Sequence, residues 1–298
     1  MRNYFTSLLL LLLIISQTVS AQSLEDVLNR KLEESADPEY TIATFKTGRI
    51  INGHSIENPE RGDLLFLVSH RFGTLNTGFY NFFGLDNSST RLGLAYGISD
   101  RFSFGFGRAT YQKTWDGYLK YKILRQQSGK SGKPFTMSLV VAADINTLKT
   151  LDPEKSITLT NRMSYVSQLL IARKFGPKLS LQITPSYIHR NLVERRIDQN
   201  NIFSIGAGSR FKISNRISLN AEYYYMMPGQ AANDYDNSLS VGVDIETGGH
   251  VFQLHLTNSQ SIIERGFITE TSGRWMDGDI RFGFNITRVF GLQRKSKK

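Results

Sequence analysis

The 298-residue chain contains no cysteine. That excludes disulfide staples, thiol catalysis and cysteine-ligated metal, so in an oxidising compartment sheet closure and packing must stabilise the fold. Long apolar runs are missing as well. No segment reaches the roughly 20 consecutive apolar residues of a membrane helix, and the mean hydropathy of -0.27 is too low for a bundle of such helices. Histidine is sparse and dispersed: His54, His70, His189, His250 and His255 show no zinc-ligand spacing. There is no nucleophile-elbow motif, no phosphate-loop lysine motif and no repeat beyond the hairpin period. Neither a cofactor nor a metal is expected. The loop carboxylates Asp86, Asp234 and Asp236 read as solvated charges rather than a calcium site.

Acidic charge is in the minority, with 26 Asp and Glu against 36 Lys and Arg and a formal net charge of +10. The basic residues are scattered along the chain rather than gathered in one patch. That argues against a nucleic-acid partner and for anionic lipid or an anionic solute.

What is present begins with a targeting segment. Arg2 supplies a positive start, Leu8 to Ile15 an apolar core and Val19-Ser20-Ala21 a small-residue cleavage site. Residues 1–21 are therefore expected to be a cleaved signal peptide, which implies export and an outer-membrane location. Ser23 to Glu34 reads as a short helix with Leu24, Val27, Leu28 and Leu32 on one face, ended by Asp37-Pro38. Thr41 to Ile51 is expected to be extended, with turns at Asn52-Gly53 and Asn58-Pro59. Residues 22–62 together read as a periplasmic lead-in or a lumen plug.

From Asp63 to Phe290 the chain alternates apolar and polar residues, as in Arg101-Phe102-Ser103-Phe104-Gly105-Phe106-Gly107. Successive side chains on a strand point to opposite faces, so each stretch has one greasy and one wet side. Twelve strands are predicted: 63–72, 90–98, 101–111, 115–124, 135–146, 160–175, 178–190, 201–213, 216–227, 237–246, 250–258 and 278–289. Short and long connectors alternate along the chain, with 112–114 and 125–134 as exceptions. Aromatics stand at strand ends, among them Phe72, Tyr111, Trp115, Phe175, Tyr187, Tyr225 and Phe290. The fold class is all-β: a closed antiparallel transmembrane β-barrel of about 12 strands, with a short N-terminal helix. The barrel spans 63–290 and a basic tail 291–298 follows the aromatic Phe290. Phe104→Arg should impair insertion into lipid, and Ser103→Arg, on the inner face, should be better tolerated.

Several stretches carry a resemblance. They are Gly84-Leu85-Asp86-Asn87-Ser88-Ser89-Thr90-Arg91-Leu92-Gly93-Leu94, His70-Arg71-Phe72-Gly73, the run from His250 to Gln260, and the run from Thr44 to Glu57. Together they resemble an outer-membrane β-barrel family of Bacteroidota of unassigned function. The resemblance implies a bacterial outer-membrane barrel and brings no activity, substrate or catalytic residue.

The polar face should line the interior. Its candidates are Arg71, Arg91, Arg101, Lys120, Lys122, Asp144, Arg210, Glu222, Asp244, Gln253, His255, Asp279 and Arg281. Charges of both signs either pair across strands or form a selectivity lining. Gln253, His255, Thr257 and Ser259 alternate along one strand face, but His255 and Ser259 are about 13 Å apart there, too far for a nucleophile and its base. The sequence reads as a narrow channel or transport component and not as an enzyme. The rival readings are a plugged scaffold docking a periplasmic protein and a lipid-modifying enzyme using His255. The expected partners are outer-membrane lipid, the outer-membrane assembly machinery and a periplasmic protein.

Overall fold

A computed structural model describes residues 39–129, 132–149, 157–193, 197–229 and 235–292. The expected signal peptide, the helix at 23–34 and the tail from 293 onward lie outside the described residues. The chain divides into two compact units, residues 1–39 with 127–132 and residues 40–126 with 133–298. In the first, the Ser128 hydroxyl donates to the Glu39 carbonyl at 3.5 Å. The second holds the barrel.

Twelve antiparallel strands close on themselves. They are β1 (Asp63–Thr74), β2 (Ser88–Gly97), β3 (Phe102–Ala109), β4 (Trp115–Leu124), β5 (Thr136–Ile145) and β6 (Met163–Lys174), then β7 (Leu179–Arg190), β8 (Asn201–Lys212), β9 (Ile217–Met226), β10 (Ser238–Thr247), β11 (His250–Thr257) and β12 (Arg281–Gly291). Each pairs with its sequence neighbour, and β12 closes the ring on β1 from Gly291↔Asp63 to Arg281↔Thr74, with a register shift between Arg281 and Gly283. Every predicted strand has its counterpart. The short connectors gather at one end and the long ones at the other. Residues 110–114 and 125–135 remain the exceptions in length.

The period of two decides which face meets what. Leu92, Phe106, Leu119, Ile183, Phe203 and Leu254 point outward and are exposed, whereas Arg91, Ser103, Lys120, Gln182, Ser204 and Gln253 point inward and are buried. In water this would expose the greasy face and bury the wet one. In lipid it satisfies both, because closure pairs the backbone and leaves hydrocarbon only side chains to meet.

The interior is filled from both ends. Residues 43–58, here the plug, enter at the short-connector end, where Lys46 Nζ donates to the Asn215 carbonyl at 3.2 Å. They turn over at an Arg49↔His54 bridge, with Ile50 N–H on the Gly53 carbonyl at 2.9 Å. They return to the same end, where Asn58 Nδ2 meets the Arg101 carbonyl at 3.1 Å. From the other end the connector 258–280 drops a short helix, α1 (Glu264–Thr269), whose six residues are all buried. Phe267 and Ile268 of α1 pack on Ala142, Val166, Ile188, Ile202 and Tyr224. Phe45, Ile50 and Ile56 of the plug pack on Val140, Leu170 and Ala172.

Two expectations change. Thr41–Ile51 is not an extended segment: Ala43 has φ 51°, and the chain folds back inside the lumen instead of lying along a strand. Ser103 does face inward but is wholly buried, beside a cavity of only about 30 Å³ lined also by Arg49, Arg91 and Lys120. An arginine there must displace packed groups and join three cations with Glu57 as the one carboxylate lining the cavity. We therefore expect Phe104→Arg to cost about 2–4 kcal/mol in the bilayer and Ser103→Arg to be no better tolerated. Ser103→Ala should fold at the native yield, all three being measured by refolding into lipid vesicles.

Candidate functional site: the occupied lumen

Glu222 of β9 reaches the tip of the plug. Its carboxylate accepts three consecutive backbone N–H groups, from Ile51 at 3.2 Å, Asn52 at 2.8 Å and Gly53 at 3.1 Å. Gly53 and Gly206 leave room there for the ring of Tyr224, which a Cβ at either position would strike. The carbonyls of the plug are met by donors of the wall. Gln253 donates to Ile50 at 2.6 Å, Asn285 to Ile51 at 3.0 Å, Gln182 to His54 at 2.7 Å and Lys120 to Glu57 at 2.5 Å. Arg210 donates to Ala43 at 2.9 Å and Thr44 at 3.1 Å. Arg71 donates to the Asn52 side chain and to the carbonyls of Ser259 and Ser261, so it ties the plug to the opposite insert.

The two inserts also meet directly. Arg49 of the plug pairs with Glu264 of α1, and His54 Nε2 lies 3.2 Å from the same carboxylate while its ring stands edge-on to Tyr118. Arg265 of α1 pairs with Asp144 on the wall at 2.9 Å and with Glu270. Arg91 crosses β3 to grip both oxygens of Asp116, at 2.9 and 2.5 Å. It lies over Gly93 and Gly107, where any Cβ would collide with its guanidinium.

Of the predicted lining residues, Arg71, Arg91, Lys120, Asp144, Arg210, Glu222, Asp244, Gln253 and His255 are buried on the inner face. Asp244 accepts from Gln253 at 2.6 Å. Lys122 and Arg281 are half-buried near opposite ends. Arg101 and Asp279 stand in connectors, because β3 starts at Phe102 and β12 at Arg281. Thr257 is spent on Ser240 at 2.9 Å and the Ser259 hydroxyl on the Ser261 carbonyl at 3.3 Å. Neither ring nitrogen of His255 has a hydrogen-bond partner, so no nucleophile–base pair forms there.

Sequence reasoning missed Arg49, Asn52, His54, Glu264 and Arg265. The inward glycines Gly107 and Gly206 were a usable signal, since an open lumen has no need of positions stripped to hydrogen.

Glu222→Ala should orphan three buried N–H groups, at about 1–3 kcal/mol each, and raise tryptic cleavage after Lys46 and Arg49 at least tenfold while the barrel stays folded. Limited proteolysis read by mass spectrometry checks this. At the other end, the Arg274 N–H and the Asn76 amide hold the Asp279 carboxyl below the usual carboxylate range. Their stabilisation is complete above the ordinary value of about 4 and is lost as pH falls through the depressed one. The fluorescence of nearby Trp275 should report loosening in that acid window, and Asp279→Asn should remove the dependence.

The matching family model spans residues 45–290, so it takes in the plug from Phe45 onward. No curated protein matches the chain. Among solved structures, the NanC porin is 10% identical over 76% of this chain and 98% of that one, with a TM-score of 0.47. The KdgM porin is 8% identical over 76% and 99%, with a TM-score of 0.46. A loop-deletion mutant of OmpT, an outer membrane protein of Vibrio cholerae, is 14% identical over 76% and 75%, with a TM-score of 0.36. Such distant likenesses carry no function across. The family match over most of the chain agrees with the closed ring and its apolar exterior: the protein belongs to the family described as a membrane bound beta barrel domain (DUF5777).

Proposed function

We propose that the protein is a bacterial outer-membrane barrel whose lumen is a narrow transport path held shut by its own N-terminal plug, and that it is not an enzyme. The observation that carries this is the way the plug is held. Its backbone is bound by wall side chains, Glu222, Gln253, Asn285, Gln182, Lys120 and Arg210, and not by a strand ladder. Water can replace such partners one for one when the plug withdraws. What would remain is a lumen lined by charges of both signs, suited to a small polar solute. The buried His255, whose ring nitrogens have no hydrogen-bond partner, gives the lipid-modifying reading no support.

The rival is a sealed scaffold that docks a periplasmic protein, and the presence of two separate inserts favours it. Conductance separates the two. In planar bilayers the intact protein should be silent or open rarely. A variant in which both 43–57 and 261–272 are replaced by flexible linkers should give stable steps, with open probability raised at least tenfold. Steady steps from the intact protein would remove the plug as the closing element. Silence from the folded barrel lacking both inserts would remove the channel and leave the scaffold.

A further inference from the structure

The lipid-facing wall is not evenly covered. On β3, β4 and β5 the outward residues stand in rows across the strands. One row is Arg108, Trp115 and Ile145, and the next is Phe106, Gly117 and Ala143. A groove of about 590 Å³ runs over Gly117 and Ala143, bounded by Trp115, Leu119 and Val141. A Cβ on Gly117 would meet the Gly105 carbonyl at 3.7 Å, an ordinary contact, and the residue has no left-handed φ. Gly107 and Gly206 make way for an arginine and a tyrosine of the protein itself. The space before Gly117 opens to the outside instead.

The rim of this groove is basic. Arg108 points outward at the end of β3 where the long connectors gather, and it is exposed. Its guanidinium lies 5.7 Å from the centre of the Trp115 ring, a contact that holds a cation in place without neutralising it. Lys113 is exposed in the same hairpin, and residues 104–115 include no carboxylate. The next one along, Asp116, is buried and taken by Arg91. One row along a strand is about 7 Å, so an anion on Arg108 sits just above the groove. A lipid has that shape: a phosphate at the surface and a chain that runs down from it.

We propose that the groove seats one anionic lipid, its phosphate on Arg108 and its acyl chain across Gly117 and Ala143. The groove is continuous with the wall that already meets hydrocarbon, so the lipid reaches it by diffusion in the leaflet. A second copy of the chain would not fill it. Two-fold partners in one membrane present the same face at the same depth, which sets groove against groove and Arg108 against Arg108. Another groove of equal volume lies over Ala221, between Leu219 and Val241, and among the described residues no Lys or Arg lines it. It should take chains without regard to headgroup. The assignment stands whether or not the lumen conducts.

Trp115 and Trp275 are the two tryptophans of the chain, which makes Trp115 a reporter at the rim. In the Trp275→Phe protein, folded into phosphatidylcholine vesicles, lipids brominated on the acyl chain should quench Trp115. Brominated phosphatidylglycerol should compete for that position about fivefold better than brominated phosphatidylcholine, the worth of one cation at a lipid surface. Arg108→Gln should bring the ratio to about one. Gly117→Leu, which fills the groove from outside and leaves the lumen alone, should do the same. Leu219→Trp, with both native tryptophans replaced by phenylalanine, should show no preference. Four results would each overturn the site: equal competition by the two lipids at Trp115, a preference that survives Arg108→Gln or Gly117→Leu, the same preference at Leu219→Trp from a general pull of the basic chain, or a Trp115 that neither lipid quenches because protein covers it.

Discussion

An irregular backbone inside a barrel has no strand to pair with, and that one constraint organises the lumen. Each peptide group buried there has to find a side chain or lose several kcal/mol of hydration. The plug of this protein solves the problem with a wall chosen group by group. A carboxylate, Glu222, takes the three N–H groups at the tip. Amides and cations, Gln253, Asn285, Gln182, Lys120 and Arg210, take the carbonyls. A lining of both signs follows from this division of labour, because a bare backbone presents donors and acceptors alike. The charges of Glu222, Lys120 and Arg210 are thus a record of what the plug presents.

The ion pairs serve a different end. Desolvating Arg49 with Glu264, or Arg265 with Asp144, returns little net stability, whereas separating either pair strands a buried charge. Such pairs fix position better than they stabilise. The apolar residues of the plug, Phe45, Ile50 and Ile56, would tolerate a slip along the wall, since packing contacts are interchangeable. Arg49 tolerates none, because one carboxylate answers it.

The barrel was legible in the sequence because its signal is local. Alternation with period two needs only a strand's own residues, and the closure of β12 on β1 follows once the count is even. The inward direction of Arg71, Glu222 and Gln253 was legible on the same ground. Their partners were not, because they lie far along the chain: Glu222 and Ile51 are 171 positions apart, Arg49 and Glu264 are 215. Thr41–Ile51 misled for the opposite reason. Its alternation imitates a strand, but no neighbouring strand is there to receive it, and Ala43 turns it into the lumen. Arg101 and Asp279 were misplaced at strand ends, where one residue decides between wall and connector.

Glu264 joins the two halves of the lumen. It belongs to the insert from the long-connector end, yet it pairs with Arg49, and lies 3.2 Å from His54 Nε2, of the segment that enters at the short-connector end. Arg71 repeats the linkage from the wall, holding Asn52 of one insert and the Ser259 and Ser261 carbonyls of the other. Withdrawing the plug alone would leave the Glu264 carboxylate buried without its cation. Lifting α1 alone would leave Arg49 without its anion. Each half-step strands a charge in a water-poor interior, which breaking a buried pair makes worth several kcal/mol. The two inserts are therefore linked: displacing either one costs the other its partner.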